Sequence, residues 1–271
     1  MAPLKRAKGR DMKKFLAAAG LAALSAACAT APETPQAGFS FPVIGDIPYS
    51  DEERALLLGA IVPAIKAGDP PFVVHIGDFK GGGAPCTAAE DEAQLALIES
   101  LAPAPVFYTP GDNEWTDCDR FADPETGRPA SELSRLDRLR DLFFAEPVAA
   151  PEAMNVKIHP AIPENATWEY DGVRFATVHV TGTGNGRRAV EGDDPAEAAQ
   201  RARKRETAAV NWIRLASYAA QLNKAGALVF AVHADMTDVN EAVMGKPCEG
   251  AIAGREQVCD AFAALRAEIR D

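Results

Sequence analysis

Short apolar runs alternate with segments of helical spacing along the first half of the chain beyond residue 38. The apolar runs predict strands at residues 39–44, 71–76 and 106–109, and the segments between them, 51–66 and 87–101, have the periodicity of helices. Strand, helix, strand, helix, strand is a βαβ pattern, which predicts parallel strands buried between helices. The fold class that follows is α/β.

The second half of the chain has longer and less regular segments. Its predicted elements are a helix at 131–144, a hairpin of residues 168–169 and 173–180, a long charged helix at 195–222, a buried strand at 228–232 and a helix at 258–270. Asp171 and Gly172 supply the hairpin turn. No repeat of fixed period is present, so we interpret residues 39–271 as one domain.

The amino-terminal residues differ in composition from this domain. Six Lys or Arg precede an uncharged run at 15–27, which is short for a bilayer span but suits the apolar region of a signal peptide. Small residues then lead to Cys28, as in a bacterial lipobox. We therefore predict a signal peptide at 1–27, acylation of Cys28 and a Pro/Ala-rich tether at 28–38.

Two features of this leader leave alternatives open. Ser25 stands where a lipobox prefers Leu, so secretion without a lipid is the competing interpretation. Met12 begins a Met-Lys-Lys-Phe stretch that would also serve as the start of a signal peptide. Either way the pattern predicts export in a bacterium, to the periplasm or to a membrane that the protein contacts only through its lipid.

The charge balance argues against one class of partner. The whole chain has a formal net charge of −11, from 28 basic and 39 acidic residues. Without the leader, which holds six basic residues and one acidic residue, 22 basic and 38 acidic residues remain, or −16. Such a surface repels polyanions, which excludes nucleic-acid binding through a basic patch. A phosphate substrate would need local positive charge, and bound metal is a ready source.

The cysteines fit an exported protein. If Cys28 carries lipid, four remain, namely Cys86, Cys118, Cys248 and Cys259. An even number in an oxidising compartment favours two disulfides. Cys86 and Cys118 each follow an acidic turn, and Cys248 and Cys259 flank a short Gly-containing loop, so we expect these two pairings. A zinc site is the competing use, although no Cys-x-x-Cys spacing is present.

Carboxylates follow three of the predicted strands, and a histidine follows a fourth. Asp46, Asp78 and Asp112 each come after an apolar run and a glycine, and His233 ends the strand at 228–232. Ligands of parallel α/β sheets bind at the carboxyl ends of strands. Three converging carboxylates would repel one another without a cation, and oxygen ligands with one imidazole suit Mn, Fe, Zn or a similar divalent ion. Turn formation alone is the competing interpretation of each Gly-Asp.

The order of these residues resembles the calcineurin-like metallophosphoesterases. That family reads Asp-x-His, Gly-Asp, Gly-Asn-His-Asp/Glu, a later His and Gly-His-x-His; this chain has Gly45-Asp46, Gly77-Asp78, Gly111-Asp-Asn-Glu114 and His233. The resemblance covers about residues 40–235 and implies a four-layer αββα sandwich. It also implies two divalent metals and a metal-bound hydroxide that attacks a phosphomonoester or phosphodiester.

The resemblance assigns roles to the strand-end residues. Asp46 would bind the first metal, Asp78 would bridge both metals, and Asp112 and His233 would serve the second. Asn113 stands at the family's catalytic His, where an amide donates a hydrogen bond but delivers no proton.

Three departures from the family favour a different class of function. Pro48 replaces the His of Asp-x-His, Asn113 replaces the His that assists the leaving group, and Gly-His-x-His is absent before the chain stops at Asp271. Loss of a terminal strand and loop by truncation would account for the last departure. The alternative to the enzyme is therefore a weakly active or inactive metal-binding or structural lipoprotein on the same fold.

Five further residues are candidates for substrate contact or for support of the metal ligands: His75, Glu114, His179, Asn185 and Arg187. His75 lies within a strand, which favours a buried supporting imidazole over a ligand. His179 precedes a Gly-rich loop, residues 181–186, that lacks the ending of a P-loop. Arg187 would hold a substrate anion, and a solvated surface arginine is the competing interpretation.

Overall fold

The computed structural model describes residues 38–123, 126–188, 190–236, 248 and 254–268. The predicted signal peptide, Cys28 and nearly all of the predicted tether lie outside these residues. By their internal contacts, the described residues from 40 onward form one unit.

The first sheet contains the three strands that the βαβ pattern predicts. They are β1 (Val43–Ile44), β2 (Val73–His75) and β3 (Val106–Tyr108), parallel and adjacent in that order. Each strand is shorter than the apolar run that contains it. The carboxyl ends of all three lie on one edge of the sheet, which brings the residues that follow them together.

The helices of this half start at side-chain caps. Ser50 accepts a hydrogen bond from Glu53 N before α1 (Asp51–Leu56), and Thr87 accepts one from Glu90 N before α3 (Ala88–Ser100). A π-helical turn, Leu57–Ile61, joins α1 to α2 (Val62–Ala67). The sequence predicts one uninterrupted helix here. Pro63 offers no N–H to the preceding turn, and the widened turn accommodates that loss.

The second sheet is mixed. Its strands are β4 (Lys157–Ile158), β5 (Ala166–Tyr170), β6 (Val173–Val178) and β7 (Ala227–Val232), in that order, with β6 and β7 parallel and the other pairs antiparallel. The predicted hairpin is β5–β6, and Asp171 (φ 48°) and Gly172 (φ 75°) both turn through positive φ, as a tight hairpin requires. The prediction that β7 is buried is wrong. Among the described strands β7 lies at the edge of the sheet, and it is half-exposed there.

The remaining helices are α4 (Glu132–Phe143), α5 (Pro195–Leu222) and α6 (Glu256–Glu268), and the structure adds 3₁₀ turns at Cys118–Arg120, Glu152–Met154 and Thr183–Gly186. Asp194 caps α5 by accepting from Glu197 N. Small residues such as Ala202, Ala209 and Ala216 line its buried face, which lets the helix lie close to the sheet. None of the described helices combines the length and the apolar character that a bilayer span needs.

Aromatic side chains hold the two sheets face to face. Phe107 of β3 stacks on Trp168 of β5 with 3.6 Å between ring centroids, and Phe72 packs edge-on against Phe175 of β6 at 4.9 Å. On the outer faces, α1–α3 cover the first sheet and α5–α6 cover the second; the core residues involved are Ile44, Leu57, Val73, Leu97, Val178, Ala209, Ile213 and Val258. The result is the α/β sandwich of two sheets between helices that the resemblance implies.

Candidate metal centre

Two aspartates follow the ends of β1 and β2. Asp46 (φ 55°) and Asp78 (φ 57°) both adopt the left-handed conformation, which Asp tolerates better than bulkier residues. Asp46 N donates to the carbonyl of Gly77 at 3.1 Å, so the two Gly-Asp turns are joined. The turns therefore present their carboxylates to the same space beyond the sheet.

Three side chains converge closely enough to hold one metal ion. Asp78, Asp112 and His233 each offer a ligand atom within 4.8 Å of the other two. His233 Nε2 lies 3.6 Å from Asp78 Oδ1 and 3.6 Å from Asp112 Oδ1. We call these three residues the triad. Its aspartates follow strands of the first sheet and its histidine follows β7 of the second, so both sheets contribute to the triad.

Gly111 leaves the space that this convergence needs. A Cβ at this position would lie 2.0 Å from Asp78 Oδ1 and 2.6 Å from His233 Cε1. Side chains of any kind are therefore excluded, and the backbone passes directly beside Asp78 and His233.

The hydrogen bond on the far side of His233 sets the tautomer. Its Nδ1 lies 2.7 Å from the carbonyl oxygen of Ile76, which only accepts, so Nδ1 carries the proton. In the neutral ring the lone pair then resides on Nε2, which faces both carboxylates. An orienting bond of this kind is the usual support of a metal-bound imidazole.

The protonation of the triad reflects an excess of negative charge. Burial and the charges of Glu114 and Asp112 raise the pKa of Asp78 to about 8. Burial opposes the charged form of His233, yet its contacts with Asp112 and Asp78 raise its pKa to about 9. Burial favours the neutral form of Asp112, but the hydrogen bond from His233 outweighs burial, so the pKa of Asp112 is lowered. A divalent cation would relieve the same excess, so the donor set fits such an ion.

Asp46 lies beside the triad rather than within it. Tyr49 Oη stands between the two aspartates, 3.0 Å from Asp46 Oδ1 and 3.0 Å from Asp78 Oδ2. Sequence reasoning missed Tyr49. The only signal was its place three residues after Asp46, in the segment where Pro48 removes an expected ligand.

Asn113 makes two hydrogen bonds to Asp78 of the triad. Its backbone N donates to Asp78 Oδ1 at 3.0 Å and its side-chain Nδ2 donates to Asp78 Oδ2 at 2.7 Å. The amide therefore orients the carboxylate of Asp78. The structure places Asn113 at the site, as an orienting group.

Glu114 is the buried acceptor beneath the site. It is fully buried, and its carboxylate accepts from Asp78 N at 2.9 and 3.0 Å, from Gly111 N at 2.9 Å and from Tyr108 Oη at 2.9 Å. It thus ties the loop after β2 to the loop after β3. Glu114 therefore supports the loops that carry Asp78 and Asp112, and it is too buried to contact a substrate.

The two remaining histidine candidates are buried away from the triad's ligand atoms. His75 Nδ1 accepts from Gly77 N at 3.0 Å, its Nε2 lies 2.8 Å from the Gln94 amide, and burial lowers its pKa to about 3. His179 lies 3.8 Å from Glu164 and packs on the ring of Trp115. His75 therefore supports the turn before Asp78.

The loop candidates have structural partners. Asn185 Oδ1 accepts from Thr181 N at 3.3 Å, and Arg187 is paired with Glu206. The structure instead brings another arginine toward the site. Arg255 is buried and donates through Nε to the carbonyl of Thr181 at 3.2 Å. Burial lowers the pKa of Arg255, and the nearby negative charge of Asp112 opposes that lowering. No sequence motif marks Arg255.

A disulfide supports the same loops. Cys86 is bonded to Cys118, and the sulfur atoms lie 3.4 Å from Asn113 O and 3.2 Å from Glu114 O respectively. The second expected pair, Cys248 and Cys259, is also bonded. The first bond therefore fixes the segment that carries Asp112 to the segment after Asp78.

Comparison with known proteins agrees with this geometry. The family model described as calcineurin-like phosphoesterase matches residues 39–237, the span that holds both sheets and all three triad residues. No curated protein matches the chain. The match covers well over half of the sequence, and it shows that the chain belongs to the calcineurin-like phosphoesterase family.

Proposed function

We propose that this protein is a metal-dependent hydrolase of phosphomonoesters or phosphodiesters that acts outside the cytoplasm. Membership of the family supports a metal-dependent phosphoesterase in general. The observation that carries the proposal for this chain is the triad, in which two carboxylates and a correctly oriented imidazole face one point.

The residues of the site have different roles in this proposal. Asp78, Asp112 and His233 would hold metal, and bound divalent ions make water a better nucleophile and neutralise charge on phosphoryl oxygens. Asn113 keeps Asp78 in its ligand orientation. Arg255 adds a fixed positive charge behind Asp112, which favours an anionic substrate on a strongly acidic protein.

One observation favours a second candidate, a metal-binding lipoprotein with little or no catalytic activity. The amide of Asn113 stands where an acid would protonate the leaving group, and an amide delivers no proton. If the protein is an enzyme, it therefore acts best on esters whose leaving group needs no proton, such as aryl phosphates.

The deciding experiment combines metal analysis with hydrolysis of an aryl phosphate. The proposal expects bound metal and metal-dependent turnover in the parent, and loss of both in Asp78→Asn. Asp112→Asn should be milder because an amide oxygen still binds metal, and Asp141→Asn, an exposed carboxylate on α4, is the matched control. Asn113→His should raise turnover, since general acid catalysis typically contributes about 10²–10⁴-fold. Bound metal without turnover, even in Asn113→His, would favour the second candidate.

Export and lipidation are part of this proposal and are supported by the sequence of residues 1–28. A fatty-acid analogue supplied to the producing bacterium should label the protein but not Cys28→Ala. Equal labelling of both, or of neither, would remove the anchor and leave plain secretion.

A further inference from the structure

A cleft that shares no residue with the triad lies between α4, α5 and the segment that follows β4. Its volume is about 780 Å³, which is within the range of sites that hold small molecules. One lining residue, Asp137, is anionic, and five are cationic, namely Arg140, Arg201, Arg203, Lys204 and Arg205. Beyond residue 27 the chain has 38 acidic and 22 basic residues. The cleft therefore reverses the charge balance of the protein.

Two of the five cations are paired with carboxylates. Arg201 donates through one NH₂ group to both carboxylate oxygens of Asp137, at 2.7 and 2.8 Å. Arg140 donates to the buried carboxylate of Glu164 at 2.6 and 3.3 Å. The carboxylates at the cleft are thus already engaged with these two arginines.

The other three cations have no such partner. Arg203 and Lys204 are exposed, and no carboxylate of the described residues is within ion-pair distance of either. They share one face of α5 with three further polar residues at a spacing of three or four, Gln200, Thr207 and Asn211. This face offers hydrogen-bond donors and no negative charge to the cleft.

Arg205 is buried without a carboxylate. Its side chain is 2% exposed, it donates to the carbonyl of Asn185 at 2.8 Å, and its guanidinium lies 4.6 Å from the ring centroid of Trp115. Its Nε is buried and has no hydrogen-bond partner among the described residues. Buried charges in proteins are ordinarily paired with an opposite charge. An anion in the cleft that Arg205 lines would provide that charge.

We infer that this cleft binds a small anion with two phosphate groups, independently of the metal centre. A phosphate group carries a charge of about −1.5 to −2 at pH 7, so two groups match the charge of Arg203, Lys204 and Arg205. A guanidinium and an ammonium are also the side chains that proteins use to hold phosphate oxygens.

The test is isothermal titration of the protein with inorganic pyrophosphate, after metal and chelator have both been removed. Physiological ionic strength screens attraction between distant charges. The parent should bind one pyrophosphate per chain. Arg203→Gln and Lys204→Gln should each raise the Kd about tenfold, which corresponds to the loss of one hydrogen bond between charged groups. Both side chains are exposed, so their replacement leaves the core intact.

Arg214→Gln removes an exposed arginine of α5 that does not line the cleft, and this matched control should bind as the parent does. No binding by the parent would overturn the inference, and so would an equal loss in all three variants, which would show attraction to the charge of α5 in general. Equal affinity for citrate would overturn the assignment to phosphate. Because no metal is present in the titration, each result is independent of the proposed function.

Discussion

Glu114 offers the sharpest test of how the site is held together. Its buried carboxylate accepts from Asp78 N, Gly111 N and Tyr108 Oη. Glu114 is not one of the residues proposed to bind metal. Glu114→Gln keeps the shape and one carbonyl oxygen, but it removes the charge and turns an NH₂ group toward Asp78 N–H. The substitution therefore weakens the support of the ligands without removing a ligand.

The size of the effect follows from the number of donors. A hydrogen bond to a charged group contributes about 1.5–3 kcal/mol to stability and a neutral one about 0.5–1.5 kcal/mol. Each of the three hydrogen bonds to Glu114 is therefore weakened by about 1 kcal/mol when its acceptor becomes neutral. We expect the free energy of unfolding to fall by about 3 kcal/mol, which corresponds to a Tm lower by about 6–12 °C in a domain of this size. Tyr108→Phe removes one donor only and should cost about 1 kcal/mol.

Urea unfolding of the metal-free variants gives these differences directly. Glu99→Gln, an exposed carboxylate on α3, is the control and should stay within about 0.5 kcal/mol of the parent. The reasoning is refuted if Glu114→Gln is as stable as this control, or if Tyr108→Phe costs as much as Glu114→Gln.

Two further predictions concern the loops and the pH dependence. Replacing both Cys86 and Cys118 by Ser opens a loop of 32 residues, which should lower the free energy of unfolding in urea by about 3.7 kcal/mol, against about 2.8 kcal/mol for the second disulfide with its separation of 11. An equal or smaller loss than for the second disulfide would contradict this. In the metal-free protein the pKa values of Asp78, about 8, and His233, about 9, lie above their unfolded values of about 3.8 and about 6.5, so the native state binds extra protons and its stability falls as pH rises from about 4 to about 9. Metal requires both groups deprotonated, so the difference in Tm between metal-loaded and chelated protein should widen from about pH 6 to about pH 8; a constant difference would show that these groups do not bind the metal.

The parts of the fold that sequence predicted are those with a strong local pattern. β2 and β3 lie within apolar runs, the hairpin β5–β6 has the turn residues Asp171 and Gly172 between its strands, and α5 runs over the predicted residues. β4 has two residues, too few to show a period, and its pairing with β5 depends on the tertiary fold. The exposure of β7 likewise depends on what lies beside it in the sheet and is absent from its own sequence.

The same distinction applies to the site. Asp78, Asp112 and His233 could be predicted because each follows an apolar strand, and strand ends in such folds converge. The role of Glu114 depends on its side chain pointing inward, and the contact of Tyr49 with Asp78 spans 29 residues and two loops. Neither leaves a periodic or spacing signal along the chain.

The triad joins parts of the chain that are far apart along it, and this has a consequence for assembly. His233 takes its orientation from the carbonyl of Ile76, 157 residues earlier, and its partners belong to the other sheet. Contacts of such long range form late, after the loops between them have closed. An unfolded chain therefore has no assembled metal site. Which metal binds depends on the ions present in the compartment where the chain finishes folding.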